Sequence, residues 1–210
     1  MGGCQGLTQR VIPGNVAPHG ESVQPCGMSD AVQQKLVTLR ILWGAMLGSL
    51  AIFVVVLFVV RSQGGASGSP PPAMVAVLGA MALGMATASV IVPRKMFRTA
   101  LAAQKFELGD QPLPGAFGQY RAESPTERVF AEPRKAFSRA LTLYQTPFIL
   151  GCAFGEAAAL DGFILGFLGA PVEIVAVFFA VGAAAIAEKH PSIAFVTKQL
   201  EAAYDAKMPA

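Results

Sequence analysis

Charge is what this sequence has least of. Asp, Glu, Lys and Arg make up 14% of its 210 residues, against about 25% in an ordinary soluble domain, so a water-soluble globular fold is excluded. Histidine occurs only twice, and no nucleophile and base stand in a recognisable catalytic pattern. No glycine loop of the phosphate-cradling kind is present. The three cysteines, Cys4, Cys26 and Cys152, lack metal-ligand spacing, and Cys152 lies in an apolar run, so neither a zinc site nor a disulfide framework is indicated. His190, beside Pro191 at a helix end, reads as a helix cap rather than a ligand or base. An enzyme is therefore not expected, and no cofactor or metal is expected either.

What is present is long apolar sequence: 53% of the residues are hydrophobic and the mean hydropathy is +0.52. Between Arg40 and Arg61 runs ILWGAMLGSLAIFVVVLFVV without a charge, close to the ~20 residues that cross a hydrocarbon core of about 30 Å. Three more segments follow, giving expected spans at 41–60, 73–92, 140–168 and 171–187. The fold class expected is thus all-α, a polytopic membrane four-helix bundle over 29–190. A flexible tail of 28 residues precedes it, and an amphipathic C-terminal helix over 191–210 follows, with Ile193, Phe195, Val196, Leu200 and Tyr204 at helical spacing.

The tail is rich in Gly, Pro, Gln and Ser and has no apolar periodicity, so it is read as disordered. No signal peptide opens it, and MGGCQG departs from acylation patterns at Gly6. Met28-Ser29-Asp30 is itself a good helix start, which makes the preceding 27 residues a candidate upstream extension. Between the second and third spans, MFRTALAAQKFEL reads as an amphipathic continuation, GDQPLPGAFG as a loop, and SPTERVFAEPRKAF as a return to helix. Ser124 and Glu127 stand at capping-box spacing around Pro125.

The third span carries the chemistry. RALTLYQTPFILGCAFGEAAALDGFILGFLG places Glu156 and Asp161 deep in an apolar segment, where an acid costs roughly 2.5–3.5 kcal/mol to insert and so faces protein or water rather than lipid. Both are candidate ion- or proton-binding groups; the alternative is a structural acid satisfied by neighbouring hydroxyls or backbone. Gly151, Gly155, Gly162 and Gly166 fall near one helical stripe, a surface for close helix packing, and Gly44, Gly48 and Gly84 offer similar small-residue positions in the first two spans.

Around the acid, LGCAFGEAAALDGFILGFL resembles the carboxylate-bearing second helix of the rotary ATP synthase c subunit, the membrane proteolipid. The second span, a polar loop containing Arg and Pro, and the third span are similar to that family's hairpin. The resemblance implies that Glu156 is the ion-carrying acid. The chain differs from the family in having fewer glycines in its second span, a much longer loop, the second acid Asp161 and two added helices. As a whole it also resembles small bacterial four-helix membrane proteins. Two functions are therefore expected: a structural or accessory subunit of a membrane complex, or an ion- or proton-handling protein working through Glu156. The expected partners are membrane lipid and other membrane subunits or further copies of the chain; nucleic acid is not expected.

Orientation follows from the basic residues. With both termini and the long loop on one side, that side holds every one of the 16 Lys and Arg except Arg61, and the positive-inside bias makes it cytoplasmic in an inner (plasma) membrane. In a background without native cysteines, a cysteine at Gly64 should react with an impermeant thiol reagent from outside, and one at Gly115 should not. The opposite pattern overturns the orientation.

Overall fold

The computed structural model describes residues 30–64, 68–112 and 126–208. The expected tail 1–28, with Cys4 and Cys26, and the loop residues 115–125, with Ser124 and Pro125, lie outside them. The elements in chain order are α1 (Asp30–Ser62), α2 (Pro72–Ala102), β1 (Leu108–Pro112), β2 (Thr126–Phe130), α3 (Pro133–Phe167), α4 (Val172–Ala187) and α5 (Ile193–Tyr204). The protein is mainly helical, and α1, α2 and α3 are each long and apolar enough to cross a membrane. In a solvent without hydrogen-bonding partners, a run such as AIFVVVLFVV becomes helix despite its β-branched residues, because only a helix satisfies its backbone within one segment.

The expectation of an all-α chain is corrected at the long connection. β1 and β2 pair antiparallel from Leu108↔Phe130 to Pro112↔Thr126, and Lys207 adds a short parallel bridge to Val129. SPTERVFAEPRKAF thus does not return directly to helix; Glu127 lies in β2, and α3 starts only at Pro133, where the fixed φ of proline suits a first helical position. The strand is anchored by Val129 and Phe130, both buried. Phe106, Phe130 and Tyr204 pack edge to face with centroids 5.0 to 6.1 Å apart.

A second difference is at Pro93, where the second span was expected to end. α2 continues through it to Ala102, and Pro93, Phe97 and Leu101 form one buried ridge at four-residue intervals. Burial of that ridge against α3 and α5 outweighs the hydrogen bond the proline removes. The Tyr204 hydroxyl then meets the end of α2, within 2.5 Å of the Leu101 carbonyl and 2.8 Å of that of Gln104.

α3 is the central element. Half of its most apolar stretch is buried, compared with 11% in α1 and in α2. Their outer faces display large apolar side chains, Phe58 being 74% exposed and Leu83 65%. α3 meets α4 through glycines: a Cβ on Gly162 would lie 2.4 Å from Phe178 Cβ, one on Gly155 2.8 Å from Ile186 Cγ1, and one on Gly182 2.7 Å from the Gly155 carbonyl. Gly151 faces Lys189 and Pro93, and Gly166 faces Leu57. At Gly44, Gly48 and Gly84 an added Cβ meets nothing within 4 Å.

α3 ends in a Schellman turn. Gly169 takes φ 85°, the Ala170 N–H donates to the Leu165 carbonyl at 3.0 Å, and the Gly169 N–H donates to that of Gly166 at 3.2 Å. α4 then returns over 16 residues, roughly 24 Å, slightly less than a hydrocarbon core. If the glycine contacts set the α3–α4 distance, Gly162→Ala should lose about 1–3 kcal/mol through overpacking. Gly44→Ala should cost nothing, alanine being the better helix former. Thermal unfolding in detergent reads both, and equal midpoints for Gly162→Ala and the unmodified chain would overturn the packing account.

Candidate functional site

α1 and α3 run side by side in the same direction. Their pairings keep a nearly constant offset in sequence: Lys35 with Thr142 (107 residues), Ser49 with Glu156 (107) and Arg61 with Gly166 (105). Such constancy requires parallel axes, and it brings the one hydroxyl in the uncharged part of α1 to the level of the acid in α3.

The Ser49 hydroxyl donates to Glu156 Oε1 at 2.6 Å, and it also lies 2.7 Å from the Met46 carbonyl. A hydroxyl has one proton and two lone pairs, so Ser49 serves one of these acceptors at a time. If Glu156 is ionised, Ser49 donates to it. If Glu156 is protonated, the carboxyl can donate to Ser49 Oγ while Ser49 donates to Met46 O. The same heavy-atom positions therefore accommodate both protonation states of the acid, with the hydroxyl turned to suit each. Glu156 is half-buried and about 11 residues, hence roughly 16 Å, from the Phe167 end of α3, about half the depth of a hydrocarbon core.

Asp161 is not part of this arrangement. It stands about 140° around the helix from Glu156, is 8% exposed, and among the described residues no side chain donates a hydrogen bond to it. The two acids thus do not form a dyad across one face. Among the described residues there is also no group of three or more His, Cys, Asp and Glu able to hold a metal ion.

Two supporting residues escaped the sequence reading. Ser49 carried a signal, as the lone hydroxyl in its run, but nothing indicated that it faces Glu156. Arg61 was read only as the one cation on the far side. Its guanidinium in fact donates to the Gly166 carbonyl, at 3.3 Å from Nη2, and to that of Ala170. The Gly166 carbonyl, which also accepts from the Gly169 N–H, and the Ala170 carbonyl lie at the C-terminal end of α3, where the helix dipole favours a cation.

Comparison with protein-family models, curated proteins and solved structures finds no match. The class the fold supports is an α-helical membrane protein, on the strength of its three long apolar helices. If Ser49 and Glu156 interact as placed, the destabilisations of Ser49→Ala and Glu156→Ala, each of which removes the hydrogen bond, should not add. Double-mutant cycles between membrane helices average about 0.6 kcal/mol and reach about 1.7; the coupling here should lie in that range, while Ser49→Ala with Asp161→Asn should be additive within error. Additivity in both cycles removes the pairing.

Proposed function

We propose that this chain is a multi-pass protein of the plasma (inner) membrane, a four-helix transmembrane bundle with both termini cytoplasmic, acting as a structural or accessory subunit of a membrane assembly. The observation that carries this reading is the contrast between the close-packed α3 and the open outer faces of α1 and α2, of whose apolar stretches only 11% is buried. Those faces suit lipid and a neighbouring membrane helix, and Gly44, Gly48 and Gly84 leave room there for close approach.

A second reading is favoured by a separate observation, the Ser49 hydroxyl within hydrogen-bond reach of both Glu156 and the Met46 carbonyl. In it the protein handles protons or a small cation, with Glu156 as the carrier and Asp161 as a second, independent site. The resemblance of the Glu156 segment to the ATP synthase c subunit points the same way. An intramembrane acid with a switchable partner is the minimum such a function needs.

One substitution separates the two. Glu156→Gln keeps the shape and can still accept from Ser49, but it cannot titrate. In the accessory reading the variant supports growth and co-purifies with its partners in native proportion. In the proton-handling reading it assembles equally well and abolishes proton flux in proteoliposomes, and a carbodiimide that modifies buried carboxyls labels the unmodified chain at Glu156 but not the variant. Normal flux and absent labelling reject the second reading; loss of assembly in Glu156→Gln rejects the separation of roles on which both rest.

A further inference from the structure

At the basic end of the molecule, the last turns of α2, the first half of α3, the turn after α4 and the start of α5 enclose a cavity of about 230 Å³. Its wall has two characters. Phe97, Tyr144, Phe148 and Phe195 supply aromatic surface, and Arg94, Lys189 and His190 bring nitrogen. Glu188 is the one acid in the lining, and it is already held by Arg94 at 2.6 Å.

Lys189 is different. It is only 9% exposed, and among the described residues no carboxylate pairs with it and no acceptor takes a hydrogen bond from it. Its methylenes cross α3 where Gly151 has no side chain: a Cβ at Gly151 would stand 3.0 Å from Lys189 Cε. Burial pushes the ammonium down from its ordinary value, with Glu188 opposing the fall and Arg94 adding to it. The stem is buried while Nζ keeps contact with solvent, since among the described residues no buried side-chain nitrogen lacks a partner, so the ammonium is open to an anion that enters the cavity and would supply the counter-charge it lacks. The N-terminal end of α5 faces the same space through Ser192, whose side chain makes no capping hydrogen bond, so its first N–H groups add partial positive charge there.

We propose that this cavity binds the phosphate headgroup of an anionic membrane phospholipid. Lys189 is its counter-charge, Arg94 and His190 stand at the rim, and the aromatic wall receives the glycerol and first acyl carbons. A lipid suits the site better than free phosphate for two reasons. The cavity opens just beyond Ala187, where α4 ends and headgroups lie, and a lone phosphate would leave the aromatic surface uncovered. The basic side is also the one that meets an anionic cytoplasmic leaflet. The assignment rests on the membrane reading above.

The test uses the full chain in mild detergent, titrated with short-chain phosphatidylglycerol, phosphatidylcholine and inorganic phosphate. Trp43 is the single tryptophan and packs edge-on against His190 with centroids 5.1 Å apart, so its emission reports on the rim; the thermal midpoint is a second readout. Phosphatidylglycerol should shift both, phosphatidylcholine should need about tenfold more, and inorganic phosphate should do neither. Lys189→Met, which keeps the methylenes over Gly151, should weaken phosphatidylglycerol about tenfold; Lys95→Met, exposed on the same side, should not. Equal responses to the two lipids, or an unchanged Lys189→Met, overturn the site, and a matching response to inorganic phosphate reassigns it to a soluble anion. Should Lys189→Met not fold, raising salt from about 0.05 to 0.5 M on the unmodified chain decides: the phosphatidylglycerol effect must weaken and any phosphatidylcholine effect must not. Carbonate extraction tests membrane insertion separately, so a chain that stays in the bilayer but prefers neither lipid refutes the site alone.

Discussion

α3 touches its neighbours with backbone as much as with side chains. At Gly155 and Gly182 the α3 and α4 axes come so close that a methyl on Gly182 would sit 2.7 Å from the Gly155 carbonyl. At Gly162 the ring-bearing Phe178 fills the place where a side chain would be. Lipid offers helices no hydrophobic gain for associating, so dispersion contacts across short distances must supply the association, and glycine is what permits them. α4 can lie against α3 over a short length because each turn contributes such a contact. Removing space at one glycine shifts an axis rather than a side chain, which makes this interface less tolerant than the Phe and Leu contacts elsewhere.

The close α3–α4 pair also decides where polar groups go. At one end the Schellman turn at Gly169 folds the chain back, and Arg61 from α1 donates to the Gly166 and Ala170 carbonyls beside it. At the other end the missing side chain of Gly151 lets Lys189 lie across α3 beside Pro93. The Ser89 hydroxyl, from the turn of α2 loosened by that proline, donates to the Gly151 carbonyl at 2.9 Å. Arg61 and Ser89 thus sit where a glycine or proline has opened the backbone, and each is satisfied by a carbonyl on a neighbouring element; Lys189 and Asp161, also buried, take no side-chain hydrogen bond among the described residues.

Much of this was legible from residue order. The uncharged runs mark where helices long enough to cross a membrane lie, though α1 and α3 start earlier and α2 ends later than those runs, and the period of Ile193, Val196 and Leu200 marks α5, because both signals are local. The signals at Pro93 and Thr126–Phe130 were misleading for a common reason. Proline argues for a helix end, and Glu-Arg-Val-Phe is compatible with helix or strand, until the long-range partners are known: Phe97 and Leu101 are held by α3 and α5, and β2 by β1 and Lys207. For the site, Glu156 and Asp161 announced themselves as charges in apolar sequence. Which of them has a partner depends on the α1–α3 register, which no local pattern encodes.

That register gives Ser49 and Glu156 their interest. Arg61 at one end and Lys35, whose ammonium meets the Thr142 hydroxyl at 2.8 Å, at the other hold two parallel helices at one offset, and a parallel pair has dipoles that repel weakly. Cations bridging to α3 near both ends of α1 oppose sliding along the common axis. A screw shift of one residue would turn Ser49 about 100° away from Glu156 and leave a carboxyl in an apolar stretch of α3 without its donor. The polar pair at the centre therefore depends on charges at the two rims, and a change at Arg61 or Lys35 would reach Glu156 without touching it.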